Sequence, residues 1–412
     1  MKRLLAGAGV CLTVLAAAPA AAQFPLLQQP GQPGAFLDPQ ELQPTRKAPI
    51  TITPSLAITE EYNDNVFIDN HNRQYDFITG FTPGIAFAME RPTYRLAAGY
   101  NFTAEIFARD PAETHAFDRQ NFFLDSLWKV DPFLTLSLTD TFIYSPDTNL
   151  VSTSGVASGR DRSYSNVLGA LASYRLSEFW SLRAGGSYTL ERFGRQGLED
   201  SDVYRAVVGA DRRLSSVLSV GAAYEFGYLD VRSEQKTYTH TPRIGGTWRP
   251  TDTISLTLSG GPSVVIREDG NTRVTPAITL NYGQRVWFGT IGLGYDRSVG
   301  TGAGVGGPTD NDIVTGYVNI TTLMRGLTVA FFPRYSNVQS PHSDRVDIRA
   351  FTLPVQITYR ITEWVAAIGG YQFFRQRSDS TALSTIGTPI ANDADQSRVF
   401  FGLTFGYPIR ID

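Results

Sequence analysis

Tyr94-Arg95-Leu96-Ala97-Ala98-Gly99-Tyr100-Asn101-Phe102-Thr103-Ala104-Glu105-Ile106 is the stretch whose reading decides the fold. Its even positions are apolar or aromatic, and its odd positions are charged, polar or small. Side chains alternate across a β-strand with period two, so this segment is a strand with one apolar face. Leu218, Val220, Ala222, Tyr224, Phe226 and Tyr228 alternate in the same way with Ser219, Gly221, Ala223, Glu225 and Gly227. Ile254, Leu256 and Leu258 alternate with Ser255, Thr257 and Ser259. No convincing stripe at helical spacing accompanies these runs, and the domain reads as all-β.

The connections between such runs alternate in length. Short ones fall near 91–93, 131–132, 177–179, 213–216, 250–253, 284–285, 324–326 and 360–363. Long polar ones fall near 63–75, 110–118, 145–163, 194–202, 230–236, 267–272, 298–311, 337–347 and 377–396. Eighteen strands follow, with sixteen as the alternative. Short turns at one end and long loops at the other suit a transmembrane antiparallel up-and-down β-barrel.

The aromatics separate this barrel from a soluble sandwich. Trp128, Trp180, Trp248, Trp287 and Trp364 all lie within a few residues of the short turns. An indole prefers the membrane–water boundary, so these five form an interfacial girdle. Tyr62, Phe107, Tyr144, Tyr228 and Tyr295 form the opposite girdle near the long loops. Trp128-Lys129-Val130-Asp131, Tyr174-Arg175-Leu176-Ser177, Trp248-Arg249-Pro250-Thr251 and Tyr359-Arg360-Ile361-Thr362 are a weak repeat entering the short turns. The face opposite the apolar one carries Gly, Ser, Thr and charge, which cannot make a dry core. A mean hydropathy of −0.14 is then an average over a lipid face and a wet face. Charged residues are only 18% and aromatics 12%, which excludes a disordered chain.

Both ends of the chain carry processing or assembly signals. Lys2 and Arg3, the apolar run Leu4 to Ala18 and then Ala20-Ala21-Ala22 predict a signal peptide over 1–22. The single cysteine, Cys11, lies within it, which excludes a disulfide scaffold. Residues 23–50 hold Pro25, Pro30, Pro33, Pro39, Pro44 and Pro49 and read as an extended periplasmic leader. Residues 51–412 are the barrel. The final strand runs Phe401-Gly402-Leu403-Thr404-Phe405-Gly406-Tyr407. Gly402, Phe405 and Tyr407 resemble the terminal signature of outer-membrane barrels that the barrel assembly machinery reads; the tail Pro408 to Asp412 departs from it.

Pro54, Pro83, Pro242, Pro262, Pro276, Pro333 and Pro354 fall inside the proposed strands. A closed barrel has no edge to excuse a missing N–H. All but Pro354 keep the outward phase.

Thr53-Pro54-Ser55-Leu56, Glu60-Glu61-Tyr62-Asn63-Asp64-Asn65-Val66-Phe67, Phe81-Thr82-Pro83-Gly84-Ile85 and the strand Tyr94 to Phe107 together resemble the beta-barrel porin 2 family. These motifs cover about the first 60 barrel residues. The resemblance implies a bacterial outer-membrane barrel, with some members associated with exopolysaccharide synthesis and export. It implies no catalytic residues, and the strand prolines recur in its pattern.

Function is less sharply marked. The inward phase places Arg95, Glu105, Arg183, Arg205, Glu225, Arg243 and Arg334 in the lumen. The arginine excess suggests a lumen favouring anionic or sugar-like solutes; against it stands the expectation that a wide barrel pairs its inner charges across strands. The loop Ser145 to Ser163 reads as a surface loop in preference to an inward constriction. Asn63-Asp64-Asn65, Asp310-Asn311-Asp312 and Asp393-Ala394-Asp395 lack the spacing of a calcium loop and read as solvated loops, not metal sites.

His71, His115, His240 and His342 are dispersed, and the adjacent His342-Ser343-Asp344 cannot orient as a relay. Gly302-Ala303-Gly304-Val305-Gly306-Gly307 opens no helix, which excludes a dinucleotide fingerprint. No enzymatic role and no cofactor are expected, and net negative charge argues against nucleic acid. The expected partners are outer-membrane lipid and lipopolysaccharide, the assembly machinery, and polysaccharide or small solutes. The expectation is a passive pore or export channel in the outer membrane of a Gram-negative bacterium, with a non-conducting adhesin, receptor or scaffold as the alternative.

Overall fold

The computed structural model describes residues 50–232, 236–340, 346–379 and 392–411. The predicted signal peptide with Cys11, the leader up to residue 49 and His342-Ser343-Asp344 lie outside the described residues.

Strand segments run along the whole described chain. The first ten are β1 (Ile50–Asn63), β2 (Asp76–Arg91), β3 (Tyr94–Phe107), β4 (His115–Lys129), β5 (Leu134–Asp147), β6 (Arg160–Arg175), β7 (Trp180–Phe193), β8 (Ser201–Arg213), β9 (Leu218–Val231) and β10 (Thr237–Thr251). The next ten are β11 (Ile254–Arg267), β12 (Thr272–Val286), β13 (Gly289–Thr301), β14 (Pro308–Ile320), β15 (Leu327–Phe331), β16 (Arg334–Gln339), β17 (Asp347–Arg360), β18 (Val365–Ser378), β19 (Ala394–Gly406) and β20 (Ile409–Ile411). β15 and β16 are halves of one stave interrupted at Phe332-Pro333, since both pair with β14 and β17. β19 and β20 are likewise one stave interrupted at Tyr407-Pro408, both paired with β1. The result is a closed, antiparallel, up-and-down barrel of eighteen staves. Closure runs from Asn63↔Arg398 to Ser55↔Gly406 and continues through Ile52↔Ile409 to Ile50↔Ile411. The tail beyond Tyr407, which departs from the usual terminal signature, therefore completes the seam.

One turn departs from expectation. The connection placed at 284–285 lies at Trp287-Phe288, because β12 stays paired with β13 as far as Val286↔Gly289. The backbone N–H of Arg285 also donates to Thr253 O at 2.8 Å, carrying the ladder onward.

Six of the seven strand prolines, all but Pro83, find their account in register. Pro262 lies opposite Pro276, and the flanking pairs His240↔Val264 and Ile244↔Gly260 bring Pro242 opposite Pro262. Three prolines thus share one cross-strand row over β10, β11 and β12, and their missing donors are concentrated at one height. Pro54 sits across from the break at Tyr407-Pro408, and its carbonyl accepts the Tyr407 N–H at 3.1 Å. Pro354 sits across from the break at Phe332-Pro333, and its carbonyl accepts the Phe332 N–H at 3.1 Å. Interruptions that would each cost a ladder bond are matched to one another.

The outward face is apolar: Ile244 is 75% exposed and Val274 66%, with Ile85, Val208, Leu258 and Phe401 similarly bare. That exposure suits hydrocarbon, not water. The inward face is lined by small and polar side chains, among them Thr53, Thr59, Thr82, Asn101, Thr103 and Thr241.

Candidate functional site

The connection between β5 and β6 folds into the barrel, correcting the reading of Ser145–Ser163 as a surface loop. Thr148–Val151 form one helical turn, α1, with all four residues buried. Beyond it Val156 is 0% exposed. Val156 and Ala157 belong to one apolar cluster with Ile68, Val305, Val338 and Phe374. These partners come from the first and seventh long connections and from β16 and β18. Burying Val156 and Ala157 against them removes apolar surface from water, and that draws the segment inward.

The base of this segment is clamped by charge. Asp147 accepts from Arg119 Nη2 at 2.7 Å, Arg160 Nη1 at 2.6 Å and Arg398 Nη1 at 3.2 Å. Arg119 also donates Nε to Glu105 at 2.5 Å. Arg398 grips Glu61 with two bonds, at 2.7 and 2.9 Å. The side chains of Arg119 and Arg398 are almost fully enclosed, so these charges are tolerated only because they are mutually paired. Asp147 and Arg160 are the two stems of the segment, and their ion pair closes its neck.

The tip is held from both sides of the lumen. Thr153 donates its backbone N–H and its hydroxyl to Glu191 Oε1, at 2.8 and 2.9 Å. Arg334 donates to the carbonyl oxygen of the same residue. Gln376 exchanges two bonds with the backbone of Ala157, both at 2.8 Å. Arg195 donates to Ser158 O. The segment therefore leaves the β5–β6 wall, is held by neighbouring β7, and crosses the lumen to β16 and β18.

The seventh long connection, between β13 and β14, joins it. Thr301 donates to Glu191 Oε2 at 2.7 Å, and Gly304 O accepts the Glu199 N–H at 2.8 Å. The glycine run here is a packing device: Gly304 has φ +79°, and a Cβ there would meet Phe193 and Leu198 at 3.0–3.1 Å. A cavity of about 180 Å³ remains among the loops, lined by Phe67, Asp69, Ser158, Gly159, Arg195 and Asn392.

The inward-phase residues read from the sequence fall as follows. Glu105 joins the Asp147 network. Arg95 meets Asp125 at 3.3 Å, Arg183 meets Asp211 at 3.0 Å, and Arg205 meets Glu225 at 2.8 Å. Arg243 lies 3.5 Å from Glu225 and donates to Thr279 at 3.2 Å. Arg334, bonded to Thr153, has no carboxylate within ion-pair reach among the described residues, and its Nε lacks an acceptor. Glu191 mirrors it, being 0% exposed with its carboxylate bonded only to uncharged donors among the described residues. Sequence reasoning missed Glu191, Glu61, Arg119 and Arg398. Strand phase alone would have turned Glu191 inward with Arg183.

Around the exterior, Trp128, Trp180, Trp248, Trp287 and Trp364 are exposed at the short-turn end. Phe107 departs from its assigned girdle: it is buried inside with Val66 and Ile78, and the Arg160 guanidinium lies 5.3 Å from its ring centroid. At the seam, a Cβ on Gly402 would meet Ile58 O at 2.2 Å, so the close approach of β19 to β1 needs glycine. Phe405 and Tyr407 face outward, and Tyr407 packs on Trp364 with ring centroids 5.9 Å apart. The acids once grouped as clusters are tied individually: Asp64 to Arg73, Asp310 to Arg273, Asp312 to Arg297 and Asp395 to Arg377. Among the described residues no three His, Cys, Asp or Glu side chains converge as metal ligands.

No protein-family model matches the chain, and no curated protein matches it, so the resemblance to the beta-barrel porin 2 family rests on the residues that carry it. Solved structures do match. OccAB4 of Acinetobacter baumannii is 14% identical with a TM-score of 0.43, over 89% of this chain and 100% of that one. OpdL of Pseudomonas aeruginosa is 12% identical with a TM-score of 0.43, over 87% and 99%. The outer membrane protein OpdK of Pseudomonas aeruginosa is 11% identical with a TM-score of 0.42, over 87% and 99%.

Proposed function

We propose that this chain is a passive, porin-like pore of a Gram-negative outer membrane, whose aperture is set by residues 148–159 lying across the lumen. The observation that carries this reading is the placement of that segment. It spans a polar-lined barrel with an apolar exterior, clamped at Asp147 and Arg160 and held at Thr153 by Glu191 and Arg334. An apolar outer band with a polar interior is the arrangement of water-filled membrane barrels. Strand arginines matched to acids favour weak ion preference over the anion selectivity that arginine number alone suggested. Outer-membrane lipid, lipopolysaccharide and the assembly machinery belong to the same reading as partners.

The test is single-channel recording of the full chain and of a variant with residues 150–157 replaced by a short Gly-Ser link. A severalfold rise in conductance on replacement is expected; equal conductance overturns the aperture role. Reversal potentials close to zero in a salt gradient are expected, and a strong anion preference would restore the earlier suggestion. A polysaccharide export role, implied by the family resemblance, requires the 148–159 segment to withdraw. It is tested by whether an oligosaccharide occludes the replaced pore while leaving the intact one unaffected.

A further inference from the structure

Thr153 is bracketed by two charges that have no counter-charge of their own among the described residues. Glu191 takes its N–H and hydroxyl, and Arg334 takes its carbonyl oxygen. The remaining bonds of Glu191 come from Ser201 at 3.2 Å and Thr301 at 2.7 Å, both neutral hydroxyls. An isolated carboxylate and an isolated guanidinium set across a lumen are costly to leave enclosed unless something carrying both opposite charges sits between them. The occupant now present is one amino-acid residue, with its donor toward Glu191 and its acceptor toward Arg334. A free α-amino acid places an ammonium and a carboxylate on the same carbon that carries those groups in Thr153.

We propose that Glu191 and Arg334 form a binding site for a zwitterionic solute of the α-amino acid class, which Thr153 fills while the 148–159 segment is folded inward. This rests on the pore reading above and names the solute class of that same aperture. Replacing Thr153 by the zwitterion turns two contacts with one charged partner each into contacts charged on both sides, which are stronger. The unused Nε of Arg334 gains an acceptor in a bidentate carboxylate. Thr153 holds its place by being tethered, with an effective concentration of the order of millimolar, so a solute at comparable concentration competes with it. The Asp147–Arg160 ion pair keeps the base in place when the tip leaves, a movement that also releases Ala157 from Gln376 and Val156 from its apolar cluster. A simple carboxylate meets only Arg334, and a simple amine meets only Glu191.

The probes are glycine, acetate and ethylammonium, applied to the full-length barrel in a planar bilayer. Glycine should shift the channel to its higher-conductance state at concentrations about tenfold or more below those needed for either single-charge probe. Glu191→Gln and Arg334→Gln should each bring glycine level with the single-charge probes. A second readout needs no conductance: Ser154→Cys is buried beside Thr153, and glycine should accelerate its reaction with a thiol reagent while acetate does not. Glycine acting no better than acetate in both assays overturns the site, as does a glycine effect that survives both substitutions. Accelerated labelling of the Ser154→Cys barrel, with no conductance from either the intact barrel or the one with residues 150–157 replaced, overturns the pore reading and leaves the site standing.

Discussion

Glu191 on β7 and Arg334 on β16 hold the two backbone polar groups of one residue, the N–H and the C=O of Thr153, from nearly opposite walls of the barrel. This makes Thr153 a latch whose backbone carries the contact. Thr153→Ala keeps both backbone bonds and should leave conductance close to that of the parent. Thr153→Pro removes the N–H and the hydroxyl together, and conductance should rise toward that of the segment-replaced barrel. Single-channel recording of the two variants checks the contrast.

Asp147 carries three arginines, and its loss leaves Arg119 and Arg398 enclosed with too little counter-charge. Asp147→Ala should destabilise the barrel by about 3–5 kcal/mol, the usual cost of breaking an enclosed ion pair on one side. Glu113→Ala removes only a 3.5 Å contact to Arg160 at the network's rim and should cost less than about 1 kcal/mol. Urea unfolding in lipid vesicles measures both.

Gly402 is where the last stave lies tight against the first. Gly402→Val forces Ile58 and Thr59 away and should prevent closure. The expected result is loss of the heat-modifiable folded band in outer-membrane fractions, while Gly369→Val, whose nearest neighbour is at 3.5 Å, should fold at a higher yield.

Ile244 lies on the outward face between the row of Trp248 and that of Tyr238. Ile244→Arg should lower stability by about 2–4 kcal/mol, since a guanidinium there faces hydrocarbon. Ile244→Leu should be neutral within about 1 kcal/mol. The same unfolding measurement distinguishes them; a harmless arginine would mean that this face does not meet lipid.

The staves were legible because their information is local. Alternation within Tyr94–Ile106 fixes which side faces out, and tryptophans near short turns mark one rim. The loops were not legible because their destination is decided at long range. Val156 and Ala157 look unremarkable among serines and glycines until Val338 and Phe374, about 180 to 220 positions later, offer them a surface. Phase could orient Arg183 and Arg205 but not reveal that Asp211 and Glu225 answer them, because pairing depends on register between strands. The prolines looked anomalous one strand at a time; their logic lies in the row across β10, β11 and β12.

The inward course of residues 148–159 and 302–307 also divides the long connections into two kinds under selection. A phage or antibody meeting the cell exterior can press for change in exposed connections such as 268–271. It cannot press in the same way on Thr153, Val156 or Gly304, whose neighbours lie inside the wall. Related barrels should therefore differ freely in their outermost tips while keeping these two segments nearly constant in length, so that an antigenically variable surface surrounds an invariant throat.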